Sequence, residues 1–142
     1  MKKLLRALLL PFGFAVMWVV WFLDGLGITV RFGTFWRSRL GHMVGNTECY
    51  LCERDEGLQP KGVIDIWFYD ADPDSNPVIS RKYRQRLHVW PKWLARPVLS
   101  VNGVTADREK HFIRTKPVDR DTLGLWEKHA PHIGFRAREE WR

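Results

Sequence analysis

Cysteine is scarce in this chain: Cys49 and Cys52 are the only two among 142 residues. That excludes a disulfide framework and favours a reducing compartment. It also excludes a four-cysteine zinc site, because no second pair accompanies Cys49-x-x-Cys52. A redox CxxC ordinarily precedes a helix, whereas this one falls inside a helical pattern. Both thiols are therefore expected as small buried hydrophobes. Acidic residues are missing from two long stretches: none precedes Asp24, and none lies between Ser75 and Ala106. Internal repeats and low-complexity tracts are absent as well, which excludes repeat arrays and compositionally biased linkers.

What is present is positive charge and aromatic rings. The formal net charge is +7, with eight Trp and eight Phe. Such a balance points to an anionic partner: membrane lipid, nucleic acid or a phosphorylated ligand. In the second acid-free stretch, Arg81, Lys82, Arg84, Arg86, Lys92 and Arg96 alternate with Trp90 and Trp93. These six residues are candidates for contact with an anionic lipid surface or a lipid-linked phosphate. The plain alternative is a solvated basic face. No recognised nucleic-acid-binding motif accompanies the charge, so nucleic acid is not expected as a partner.

The first acid-free stretch reads as a membrane anchor over residues 1–24. Lys2, Lys3 and Arg6 precede an uncharged run from Ala7 to Leu23. As a helix that run reaches about 26 Å, a little short of a hydrocarbon core. Pro11 would kink it, Trp18 and Trp21 suit an interfacial belt, and no small-residue cleavage pattern follows. Basic residues flank both ends, Arg31, Arg37 and Arg39 on the far side. That near balance leaves orientation open and equally suits a helix lying in the interface, or a re-entrant one, with both ends on the cytoplasmic side.

From Ile28 onward the pattern alternates strand and helix. Ile28 to Phe32 reads as a strand, followed by a basic, glycine-containing loop. A helix runs from His42 to about Arg54, with Met43, Thr47, Tyr50, Leu51 and Arg54 at three- and four-residue spacing and Gly57 as its stop. Val63 to Tyr69 is nearly all apolar and suits a strand buried on both faces of a parallel sheet. Asn76-Pro77 reads as an N-cap with proline at the first helical position, and Ile79, Tyr83 and Leu87 give the next helix an apolar stripe. Leu87 to Trp90 makes a third short strand, and Pro91 to Leu99 a further helix weakened by Pro97. Beyond Val101 the signal fades, with Pro117, Gly124, Pro131 and Gly134 breaking the tail into short pieces. The expected class is α/β: a partial parallel sheet with flanking helices and right-handed crossovers, spanning 28–142 as an incomplete domain.

Candidate chemistry concentrates where the first strand hands over to the first helix of this region. A helix N-terminus presents free N–H groups and a positive dipole end, which favour an anion. His42, at that start, is the candidate catalytic base; the dipole keeps an imidazole neutral there. The alternative is a histidine that only hydrogen-bonds the loop. Arg39 could clamp a phosphate or be a solvated loop charge. Gly41 allows close approach, and Asn46 shares the face of His42 at i+4. Glu48 does not share that face cleanly and is expected to pair with Arg39 or Arg54. Asp70-Ala71-Asp72 invites a metal reading, but turn chemistry explains it. The extended run through Asp74 fails as a calcium loop, with Ser75 and Arg81 where glycine and glutamate are needed. No metal and no cofactor are expected.

Arg31-Phe32-Gly33, Arg39-Leu40-Gly41-His42, Asn46-Thr47-Glu48 and Tyr50-Leu51-Cys52-Glu53 together resemble the N-terminal part of a family of bacterial glycosyltransferases. These are associated with surface-polysaccharide and lipopolysaccharide genes. Asn76 before a basic helix, Val89-Trp90-Pro91, and Gly134-Phe135 followed by Glu139-Glu140 are similar to the same family. The resemblance implies a longer, two-domain transferase, each domain Rossmann-like, with this chain as the N-terminal portion. It implies a nucleotide-sugar donor held mainly by the second domain, and a glycan or lipid-linked acceptor held mainly by the first. The expected setting is the cytoplasmic face of the inner membrane. Arg39, Gly41, His42, Asn46 and Glu48 would be its site residues. The rival expectation is a non-catalytic, membrane-anchored module that docks on anionic lipid or on a partner protein.

Overall fold

The structure, a computed structural model, describes residues 2–70, 73–113, 123–129 and 132. The chain divides into two compact units. One comprises Met1–Phe35, Gly62–Asp70 and His88–Arg114; the other comprises Trp36–Lys61, Ala71–Leu87 and Thr115–Arg142.

The first unit holds α1 (Lys2–Gly25), β1 (Thr29–Phe35), β2 (Val63–Tyr69), β3 (His88–Trp90) and α4 (Lys92–Gly103). The strands form a three-stranded sheet in the order β1-β2-β3, parallel throughout. The α/β class and the parallel sheet are as expected. Strand alternation sends Val30, Phe32, Ile66 and Phe68 into one core with Met17 and Val20 of α1 and Ala95, Val98 and Val101 of α4. Phe32 stacks on Phe68 across the strands, with ring centroids 5.8 Å apart.

The opposite face is polar at one end. Register sets Arg31 beside Asp65, and the guanidinium grips the carboxylate through two bonds of 2.7 Å, Nε to Oδ1 and Nη2 to Oδ2. Two residues along, Gly33 lies beside Trp67. A Cβ on Gly33 would come within 2.9 Å of both the Trp67 ring and Ile113. The glycine therefore belongs to the strand, which makes room for the indole, and β1 runs on to Phe35. The loop after β1 shrinks to Trp36–Arg39. The free edge of β1 is covered by a short bridge: Phe32 N–H donates to the His111 carbonyl at 2.9 Å and Ile113 N–H to the Phe32 carbonyl at 2.8 Å. Only the second half of β2 is buried on both faces; Ile64, in the first half, is 40 % exposed.

α1 forms as a helix with Pro11 inside it. The expectation of a membrane-crossing anchor over 1–24 is not supported: among the described residues, no helix is long and apolar enough to cross a membrane. One stripe of α1, including Met17 and Val20, is core instead, and the helix packs on α4. Gly13 makes that approach close, since a Cβ there would fall on the Pro97 carbonyl.

The second unit holds α2 (Leu40–Asp55), α3 (Pro77–Arg84) and the short α5 (Trp126–His129). Asn76 caps α3 as expected, its side chain accepting from the N–H groups of Val78 and Ile79 at 3.1 Å each. Tyr83 and Leu87 are buried and Ile79 half-buried, as their spacing predicts.

Gly13→Ala should destabilise the chain by about 1–3 kcal/mol, because the new methyl meets backbone that cannot step aside. This should outweigh the roughly 1 kcal/mol that alanine gains over glycine in a helix. Gly41→Ala, where a Cβ meets nothing within 4 Å, should be neutral or stabilising by up to about 1 kcal/mol. Urea melts of the two variants check the contrast.

Candidate functional site

α2 starts without a side-chain cap. Arg39, its N-cap residue, is extended and makes no capping hydrogen bond through its side chain. The Met43 N–H donates to the Arg39 carbonyl at 2.8 Å and begins the helical ladder. Arg39 and Gly41 are exposed, and His42 is half-buried with its ring 6.1 Å from that of Trp36. Asn46 follows one turn on, and its buried Oδ1 has no hydrogen-bond partner among the described residues. Ser75, just before the α3 cap, reaches the carbonyl of Arg37 through its N–H at 2.9 Å and its hydroxyl at 2.7 Å. The loop before α2 and the loop before α3 are thereby fastened together. Arg39, Gly41, His42 and Asn46 thus share the first two turns of α2, in a setting suited to an anion.

Glu48 is not with them. It is buried and pairs with neither Arg39 nor Arg54. Tyr83 donates its hydroxyl to Oε1 at 2.8 Å, and His132 brings Nδ1 to 2.7 Å from Oε2. The backbone N–H of His132 also reaches both carboxylate oxygens at 3.1 Å. The reason is helical geometry: six residues from His42, Glu48 faces another side of α2. Burial, then the charge and hydrogen bond of Glu48, push the Tyr83 phenol up, so it remains a donor. His132 also sets Nε2 2.8 Å from Asp55 Oδ2. Burial acts to raise the Asp55 carboxyl. The hydrogen bond and charge of His132, with Arg54, outweigh it and hold the group below its ordinary value.

Cys49 and Cys52 are not joined in a disulfide; Cys52 is fully buried and Cys49 half-buried. Among the described residues, one group of potential metal ligands stands together: Glu48, Cys52 and His132, with ligand atoms all within 4.8 Å of one another. The sequence held half of this signal in the i, i+4 spacing of Glu48 and Cys52. The other half, His132, comes from a tail with no periodic pattern.

The basic stretch does not act as one element. Arg81, Lys82, Arg84 and Arg86 lie on or just after α3 in the second unit, whereas Lys92 and Arg96 lie on α4 in the first. All but the half-buried Lys82 are exposed. Asp72 and the Gly134-to-Glu140 segment lie outside the described residues. No family model, curated protein or solved structure matches the chain.

At the far end of α2, Glu56 accepts from Lys128 at 2.7 Å and lies 2.6 Å from His129 Nε2, which joins α5 to α2. His129 first and Lys128 next hold the Glu56 carboxyl below its ordinary value of 4.5. A depressed carboxylate stabilises the fold above its unfolded pKa, and the effect is lost as pH falls through the lower folded value. Glu56→Gln should therefore melt below the native protein at neutral pH, and the gap should shrink as the pH is taken progressively below the ordinary value of 4.5. Thermal melts followed by circular dichroism at several pH values check this.

Proposed function

We propose that this chain is the N-terminal portion of a membrane-associated glycosyltransferase. It works at the cytoplasmic face of the inner membrane with a nucleotide-sugar donor and an envelope glycan or lipid-linked acceptor. The observation that carries the proposal is local. The residues with the family resemblance, Arg39 to Asn46, form the uncapped start of a helix directly after a strand of a parallel sheet. Arg39 holds a phosphate, the α2 N-terminus neutralises it, and His42 takes the proton of an acceptor hydroxyl. Asn46 supplies its buried oxygen to a sugar or acceptor hydroxyl. Glu48 serves the same site from a distance, by fixing α2.

The outward face of α1 supports association with a membrane and also favours a second reading, a non-catalytic module docked on anionic lipid. Phe14, Trp18 and Phe22 are 54 %, 67 % and 58 % exposed, and Trp18 stacks on Phe22 at 6.2 Å. A helix apolar both toward its core and away from it suits burial against lipid.

Titration of the purified chain with nucleoside-diphosphate sugars and with a polyprenyl phosphate distinguishes the two. Binding of either, weakened about tenfold or more in Arg39→Ala as for a lost charge-assisted bond, supports the transferase. His42→Ala should then remove transfer in the longer protein while leaving phosphate binding largely in place. Salt-sensitive binding to anionic vesicles, with no binding of either phosphorylated ligand, supports the second reading.

A further inference from the structure

We propose that Glu48, Cys52 and His132 form a site for a zinc-like divalent cation, built from other residues than Arg39, Gly41, His42 and Asn46 at the start of α2. Three observations converge. The three residues are 3 %, 0 % and 7 % exposed, and their ligand atoms lie within 4.8 Å of one another. Zinc with bonds of about 2.0–2.3 Å sets its ligands roughly 3–4 Å apart, so small side-chain rotations close the set. One carboxylate oxygen, one thiolate and one imidazole nitrogen make a mixed donor set that favours Zn²⁺ over the hard cations Mg²⁺ and Ca²⁺.

The third observation is the way the ligands are held. A metal-bound histidine ordinarily donates its other ring N–H to a carboxylate, which fixes the ring and its tautomer. His132 has that arrangement, with Nε2 on Asp55 while Nδ1 faces Glu48. Tyr83 holds Oε1 of Glu48 and leaves Oε2 toward the histidine. On binding, the cation displaces to solvent the Cys52 thiol proton and the proton shared between Nδ1 and Glu48, and Nε2 keeps its contact with Asp55. Glu48 and Cys52 then neutralise the charge of the ion, and a water completes four-coordination. The ion fastens α2 to His132.

Cobalt(II) titration of the metal-stripped full chain tests this. One equivalent should bind with a thiolate-to-cobalt charge-transfer band, be displaced by Zn²⁺, and raise the melting temperature. Cys52→Ser, a near-isosteric change, should abolish the band and weaken zinc binding by at least the roughly 10–100-fold that loss of an outer-shell partner costs. Cys49→Ser should retain both properties. His132 also fastens Glu48, so its replacement risks unfolding; the cysteine pair keeps the test decisive. Absence of cobalt binding to the native chain overturns the proposal, as does a band that survives in Cys52→Ser or vanishes in Cys49→Ser.

Discussion

The buried carboxylate of Glu48 is the constraint on which the second unit depends. An isolated ionised carboxylate in such a place would be prohibitive; it is tolerated only when paired and hydrogen-bonded. Here three polar partners converge on it: a phenol from α3, and a ring nitrogen and a backbone N–H from His132. Each comes from a different place in the sequence than α2 itself. The carboxylate thereby joins three segments, and the joint is directional in a way that apolar packing is not. Its strength depends on completeness. Removing one donor leaves a buried acceptor unsatisfied, which costs more than the bond itself contributes.

The first unit meets a similar problem across a sheet. Arg31 and Asp65 are register partners, so the pair forms when the strands align and fails if they slip by one residue. A one-residue slip would also turn Phe32 and Phe68 out of the core. The ion pair and the aromatic pair thus specify the same register from opposite faces. Burying the charges is costly, so the net contribution of the pair is small, but an alignment that separates them is strongly disfavoured. Gly33 adds a third condition: only in this register does the residue without a Cβ lie beside the indole of Trp67.

The order of elements was legible because each depends on local signals. Asn76-Pro77 marks the start of α3 through hydrogen bonds made within three residues, and the apolar run of β2 reads as a strand without reference to any partner. Positions whose meaning comes from distant residues were not legible. Gly33 looks like a loop glycine until Trp67 is beside it. Glu48 looks like a surface acid of a helix until His132 arrives from the tail. The basic stretch from Arg81 to Arg96 looks continuous, yet it crosses from one compact unit into the other. At the candidate ligand site, the first two turns of α2 follow from the sequence because Arg39, Gly41, His42 and Asn46 all sit on one short helical segment. The metal-ligand group depends on a long-range contact and could be seen only in part.

α1 shows why hydropathy alone cannot assign a role to an apolar helix. Leu, Phe, Val and Trp are as comfortable against a protein core as against lipid chains, so a helix apolar on every side satisfies either environment. Geometry separates the two. Met17 and Val20 are held among β1, β2 and α4 side chains, and Gly13 lets the helix approach Pro97 closely. A stripe fitted to a protein neighbour in this way is lost if the helix leaves that neighbour. Trp18 and Phe22, stacked on the outer side, have no such fit and lose nothing by facing lipid. The helix therefore packs on its protein neighbours along one stripe and leaves Trp18 and Phe22 exposed on the other side.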